Sequence, residues 1–146
     1  MIDRLILVLR VGLGGVFLVA GVLKIGHADD FASQIAGFQL LPQPLIAPLA
    51  LLLPFLESMV GLYLIVGLFT QFAAWFAGVE MAIFAGAIAS AVVRGIHTSC
   101  GCFGPSDHTM TSWPEAGRDL GLVLVAAIIA WRAPGALAID RRIENR

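Results

Sequence analysis

The stretch that decides the fold is LIAPLALLLPFLESMVGLYLIVGL, residues 45 to 68, followed by the short link FTQ and then FAAWFAGVEMAIFAGAIASAVV, residues 72 to 93. Each run is as long as the roughly 20 apolar residues that an α-helix needs to cross a bilayer. Within each, a single acidic residue interrupts the apolar pattern, Glu57 in the first and Glu80 in the second. Only a tight turn separates them, so the two helices must be antiparallel neighbours.

Working outward, Leu5 to about Leu23 forms another apolar run, interrupted only by Arg10, and Ala116 to Trp131 a shorter one that opens with Arg118 and Asp119. The 146 residues carry 59% hydrophobic and 13% charged side chains, with a mean hydropathy of +0.91. A soluble domain has about 25% charged residues, so this chain has too little polar surface to dissolve as a monomer. Nine basic residues balance ten acidic ones without a basic stripe, which argues against a nucleic-acid partner. The expected fold is all-α: a single polytopic membrane domain over residues 1–146, a four-transmembrane-helix bundle with spans at about 5–23, 45–68, 72–93 and 116–131. A cleaved signal peptide competes for the first run, but Arg10 within it and the lack of a small-x-small site before Lys24 favour retention.

The basic residues set an orientation. Arg4, Arg10, Arg132, Arg141, Arg142 and Arg146 fall on one side, and Lys24, Arg94 and Arg118 on the other. By the positive-inside rule both termini are cytoplasmic, and the loops after the first and third spans face the periplasm of a bacterial inner membrane. In the first of these loops, Phe31, Ile35, Phe38 and Leu41 recur at helical spacing behind Asp29 and Asp30. This predicts a short interfacial helix over about 31–41. Pro42, Pro44 and Pro48 start the second span, and Pro54 should kink it. Ala74, Gly78, Ala82, Gly86 and Ser90 put a small residue at every fourth position of the third span, and Gly12, Gly14, Gly15 and Gly21 do similar work in the first. Both are expected to be close helix-packing faces.

Ionisable side chains in apolar spans are costly, at roughly 2.5–3.5 kcal/mol each on insertion scales. Arg10, Glu57 and Glu80 are therefore read together. One reading is a buried ion pair of Arg10 with Glu80 or Glu57 that sets helix register. The other is a functional Glu57 that relays protons or meets a polar head group such as a quinone.

The densest chemistry lies in RGIHTSCGCFGPSDH, residues 94 to 108. Cys100 and Cys102 are the chain's two cysteines, they share an exported loop, and a disulfide persists on that side of the membrane. A redox pair fits, because a disulfide closing so short a loop is strained and exchange-prone. Cys100 and Cys102 are then the redox centre, His97 and Arg94 tune the thiolate, and Gly104-Pro105 forms a turn that presents the pair. A metal site is the alternative, with His97, Cys100, Cys102 and His108 as soft and borderline ligands for Cu(I) or Zn. Inert thiols or a static staple is the third.

Arg10 with its following glycines, FLVAGVLK (17–24), FASQIAGFQLLP (31–42), Pro54-Phe-Leu-Glu57 with Gly61, and Arg94-Gly leading into Cys100-Gly-Cys-Phe-Gly104 resemble the MauE/DoxX family of small four-helix membrane proteins, over roughly residues 4 to 132. The Cys-Gly-Cys-Phe-Gly segment resembles the MauE-like branch. That resemblance implies a membrane thiol-disulfide oxidoreductase or redox partner that supports maturation of disulfide-rich methylamine dehydrogenase together with a periplasmic thioredoxin-like or disulfide-containing protein. DoxX relatives imply a quinone-linked complex, in which such a chain can also be a non-catalytic subunit. The bundle is also similar to DsbB and vitamin K epoxide reductase enzymes, which pass electrons from thiols to quinone with a Cys-x-x-Cys pair plus a second shuttle pair, whereas this chain has one Cys-x-Cys pair. Expected partners are the lipid bilayer and that exported protein, with an oligomer compatible with so apolar a surface.

Overall fold

The computed structural model describes residues 1–104, 106–133 and 135–144; Pro105 of the expected turn, Arg146 and the side chain of Arg142 lie outside the described residues. Six helices follow one another: α1 (Ile2–Lys24), α2 (Ala28–Gly37), α3 (Gln43–Val66), α4 (Thr70–Val93), α5 (Trp113–Arg132) and α6 (Ile139–Glu144). Among the described residues there is no strand, only an isolated bridge between Ser99 and Met110.

Three helices, α1, α3 and α4, are long and apolar enough to cross a membrane. Their outward faces carry large apolar side chains such as Val8, Leu52, Phe55, Phe72, Val79 and Ile83, all exposed. A chain with three such helices presenting that surface is a multi-pass membrane protein. α5 is of similar length, but Glu115, Arg118 and Asp119 occupy its first two turns.

The long helices pack around a common core, α1 on α3, α3 on α4, α4 on α5 and α5 on α1, with α2 laid against α3. Each hides one stripe. In α1 the buried side is Ile6, Arg10, Leu13, Gly14, Phe17, Ala20, Gly21 and Lys24, a repeat of three and four residues that places both basic groups on the inner face. Leu13, Phe17, Val60, Leu64, Ala74, Ala77 and Ile129 meet at the centre. α1 and α3 approach through glycine. A Cβ on Gly14 would stand 2.7 Å from the Gly61 carbonyl oxygen, and one on Gly21 2.6 Å from that of Pro54. Close backbone approach of this kind drives helix association where lipid supplies no hydrophobic contrast. A Cβ added to Gly12 or Gly15 would meet nothing within 4 Å, so neither glycine marks a close backbone approach of this kind.

The small-residue row of α4 behaves differently from its reading. Ala74 is buried and Gly78 lies against Ala126 of α5, but Ala82 and Gly86 are exposed. Four residues advance an α-helix by about 400°, so an every-fourth row drifts some 40° per step and leaves the interface. The stripe that stays inside is Ala73, Ala77, Glu80, Ala85, Ile88 and Ala91. α3 runs unbroken through Pro48 and Pro54. α2 starts and stops earlier than expected. Gln39 takes a left-handed φ of 53°, which ends the helical run before Leu40 and Leu41.

The two chain ends meet. Arg141 pairs with Asp3 at 3.0 Å, and the Ala136 amide donates to the Asp3 carbonyl. α6, absent from the sequence reading, brings Asp140 to the α3–α4 turn. Its carboxylate accepts the backbone N–H of Phe69 (2.9 Å) and of Thr70 (2.8 Å), satisfying the start of α4, whose own cap residue has no side-chain acceptor.

Candidate functional site

At the opposite end from the termini, α4 ends at Val93, and Gly95 just beyond it holds a φ of +68°. The Ile96 amide reaches back to the Ala91 carbonyl and the Gly95 amide to that of Val92, closing the helix and aiming the chain across the bundle end. The segment from Thr98 to Thr111 then folds on itself. Cys100 donates to the Thr109 carbonyl (2.8 Å) and Thr111 to that of Thr98 (2.9 Å). Asp107 ties the loop from within. Its carboxylate accepts the amides of Phe103 (3.2 Å) and Thr109 (3.1 Å), and its carbonyl accepts the Ser99 hydroxyl. Burial alone would raise this carboxyl, but those hydrogen bonds and the charge of Arg118 outweigh it and hold Asp107 below the usual carboxylate range.

Cys100 and Cys102 are joined as a disulfide, with Cα atoms 5.3 Å apart. Gly101 between them has a φ of +65°, and a side chain there would run into Gln34 of α2. A glycine at this position is therefore a requirement of both the turn and the packing. The two sulfurs differ in access. Cys100 is 2% exposed and packs with Phe38, Ile88, Ala91 and Ala116, whereas Cys102 is half-buried.

The group on the disulfide is Arg118, from the first turns of α5. Its Nη2 lies 3.3 Å from the Cys102 sulfur and 3.8 Å from that of Cys100. The guanidinium also stacks over the Phe103 ring at 5.6 Å and donates twice to Asp119, at 3.0 and 3.1 Å. Asp119 is almost fully buried, so its carboxylate fixes the arginine from behind. A guanidinium held beside a sulfur stabilises a thiolate formed there.

Inside the bundle, Lys24 and Glu57 form a buried pair, with Nζ at 2.7 and 2.9 Å from the two carboxylate oxygens and side chains 2% and 3% exposed. The ammonium also faces the rings of Phe31 and Phe84. Glu80 sits within the electrostatic reach of both Glu57 and Lys24. A cavity of about 30 Å³ lies between this cluster and the disulfide, lined by Lys24, Glu57, Cys102, Phe103, Arg118 and Asp119.

Several sequence expectations change here. The partner of Glu57 is Lys24, not Arg10. Arg10 belongs to the other end of α1, where it bonds the Ala136 carbonyl at 3.4 Å in the neighbourhood of Asp140 and Gly67. The long side chain of Lys24 reaches inward from the last turn of α1, and the seven-residue step from Phe17 places it on the buried stripe. Arg94 bonds Ser90 and the Phe38 carbonyl, fastening the end of α4 to the end of α2, and no hydrogen bond links it to either sulfur. His97 and His108 are exposed. Among the described residues no three His, Cys, Asp or Glu side chains converge as metal ligands do, so neither His97 nor His108 joins the Cys100–Cys102 pair in such a group. Arg118, Asp119 and Lys24 were missed as site residues. Their trace in the sequence is that each is a charge bordering an apolar helix on the stripe that faces its neighbours.

The family described as "Methylamine utilisation protein MauE" matches residues 2–132. The methylamine utilization protein MauE of Methylorubrum extorquens is 38% identical over 120 residues, which cover 82% of this chain and 64% of that protein. The MauE protein of Paracoccus denitrificans is 33% identical over 130 residues, covering 88% and 70% respectively. That of Methylophilus methylotrophus is 39% identical over 88 residues, covering 60% and 46%. The chain thus spans between about half and seven tenths of the length of these relatives. No solved structure matches it.

Proposed function

We propose, for a chain that belongs to the MauE family, that it is a membrane thiol-disulfide exchange protein acting on an exported, thioredoxin-like partner in the maturation of a disulfide-rich dehydrogenase of methylamine utilisation. In this reading α5 is the fourth span of a four-helix bundle in the bacterial inner membrane. Both termini, joined by the Asp3–Arg141 pair, are cytoplasmic, and the loop around Cys100 is periplasmic. The basic residues support that sidedness: Arg4, Arg132 and Arg141 gather near the joined ends.

The observation that carries the reading is Arg118 resting on both sulfurs of a disulfide in which Cys102 alone is accessible. A partner thiolate attacks the Cys102 sulfur. The Cys100–Cys102 bond breaks, its electron pair leaves on Cys100, and a mixed disulfide forms between Cys102 and the partner. A second partner thiol then attacks the partner's own sulfur, which oxidises the partner and releases Cys102 as a thiolate beside Arg118.

Cys100→Ser tests this directly. Exchange runs in both senses, and in the reverse one the Cys102 thiolate attacks the oxidised partner's disulfide and Cys100 then displaces the partner; without that buried sulfur the mixed disulfide cannot be resolved on this side, so a Cys102-linked exported protein should accumulate and be identified by diagonal electrophoresis and mass spectrometry. Cys102→Ser leaves only the buried Cys100 and should trap at least tenfold less. Equal trapping by both variants, or dehydrogenase maturation unaffected when both cysteines are replaced, would overturn the reading.

A further inference from the structure

Asp119 lines the cavity of about 30 Å³ between the disulfide and the inner charges, together with Cys102 and Arg118. Its side chain is 3% exposed, and its two oxygens are not equivalent. Oδ1 accepts both hydrogen bonds from Arg118, whereas Oδ2 is buried and has no hydrogen-bond partner among the described residues. Such atoms are rare, because each has lost water and gained nothing. The other carboxylate on this wall, Glu57, is already committed. Both its oxygens accept from Lys24, and Glu80 of α4 shares a hydrogen bond with it. A water molecule needs about 10–15 Å³ of such space, so the cavity has room for one between the free oxygen of Asp119 and Cys102.

Arg118 couples the same two residues. Its Nη2 stands 3.0 Å from Asp119 Oδ1 and 3.3 Å from the Cys102 sulfur. While the disulfide is intact, that guanidinium serves one anion, the carboxylate. The exchange proposed above creates a second, the Cys102 thiolate, on the other side of the same nitrogen. The other charged groups near Asp119 do not relieve this, since Glu115 on its own helix is acidic and Lys24 of α1 is paired with Glu57 of α3. Two anions on one guanidinium would leave the buried carboxylate uncompensated, which is costly. We propose that Asp119 takes up one of the two protons released by the partner's thiols, so that Arg118 passes from the carboxylate to the sulfur and Cys102 remains a thiolate. The inference rests on the exchange reading and adds the residue that receives its proton.

The step balances. Two partner thiols lose two electrons and two protons as their S–S bond forms. The electrons break the Cys100–Cys102 bond and leave a pair on each sulfur. One proton goes to Cys100, which packs among Phe38, Ile88, Ala91 and Ala116. The other goes to Oδ2 of Asp119, which has a lone pair to receive it. One negative charge is present throughout, first on the carboxylate and then on the Cys102 sulfur. Oxidation of the dithiol runs the same transfer backwards.

The test is infrared difference spectroscopy on the full chain in lipid nanodiscs, reduced with dithiothreitol, freed of reductant without oxygen and compared with the oxidised protein at neutral pH. Reduction should raise the carbonyl band of a protonated carboxyl, one per disulfide lost by thiol count, and the band should shift in deuterium oxide. A single S–H band, from Cys100, should accompany it. Asp119→Asn should lose the carboxyl band, while Glu80→Gln and Asp107→Asn should keep it. If melting shows that Asp119→Asn is misfolded, Asp107→Asn protein with heavy carbon in its aspartate carboxyls answers the same question, because an aspartate band moves with the label and a glutamate band does not. No carboxyl band on reduction, a band kept in Asp119→Asn, or one unmoved by the label would overturn the proposal. Because a small reductant replaces the partner, the two readings fail separately. Partner trapping in Cys100→Ser with no carboxyl band in the reduced parent would overturn the proton role alone, and the band with no partner trapped would overturn the exchange reading instead.

Discussion

Arg118→Met removes the cation that rests on the disulfide. With Nη2 3.3 Å from the Cys102 sulfur, Coulomb's law gives about 1.3 kcal/mol between guanidinium and thiolate in bulk water and about 5 kcal/mol at an effective dielectric near 20. The arginine side chain is 37% exposed, so solvent screening favours the lower end, about 1–2 kcal/mol, or roughly tenfold in thiolate population at neutral pH. The assay is alkylation of Cys102 by iodoacetamide in the reduced protein, followed by mass spectrometry across pH. The variant's profile should move about one unit to higher pH and its neutral-pH rate should fall about tenfold, because removing a positive neighbour disfavours the anion. Arg118 also holds the buried Asp119, so Arg118→Met/Asp119→Asn separates the sulfur effect from the loss of that pair. The double variant should regain stability and keep the shifted profile, and Arg118→Lys should recover part of the rate. An unshifted profile in the single variant, or full recovery of reactivity by adding Asp119→Asn, would refute the role given to the guanidinium.

Lys24→Met should destabilise the protein by about 3–5 kcal/mol, because it strands the Glu57 carboxylate in low dielectric, whereas Lys24→Met/Glu57→Leu should recover most of that; thermal melting in nanodiscs decides, and a single variant as stable as the double contradicts the pair's description. Asp140→Ala removes both acceptors at the start of α4 and should cost about 1–2 kcal/mol, with faster hydrogen exchange at Phe69 and Thr70 and a smaller effect for Asp140→Asn; protection unchanged at those two amides would refute the cap. Because Asp107 is held below the ordinary carboxylate range, its contribution is present above that range and is lost as pH falls through the lowered value. Protection of the Cys100 and Thr111 amides should therefore decline on strong acidification in the parent protein, and Asp107→Asn should show the reduced protection already at neutral pH, with little further change.

Helix existence was legible because lipid demands it. Runs of some 20 apolar residues have no other stable form at membrane depth, and so α1, α3 and α4 were readable to within a few residues. That Cys100 and Cys102 belong together, as their disulfide shows, was equally plain from their isolation and one-residue spacing. Partner choice was not. Arg10, Glu57 and Glu80 each announced themselves as costly charges, yet depth along a span says only which groups share a level, not which face each other. That depends on helix rotation, which the contacts of Gly14, Gly21 and Gly61 set between α1 and α3, bringing Lys24 onto Glu57. The row from Ala74 to Ser90 misled for a related reason, since a period of four drifts around a helix of 3.6 residues per turn. Arg118 lies 16 residues beyond Cys102, and nothing local links them. It is the loop from Thr98 to Thr111, closed on itself around Asp107, that sets the sulfurs against the first turns of α5. From the sequence come the membrane, the helices and the cysteine pair, because hydropathy and cysteine spacing are local quantities. Which charge meets which, and which sulfur stays open, are decided by tertiary packing, because a side chain's partner is a property of two helices at once.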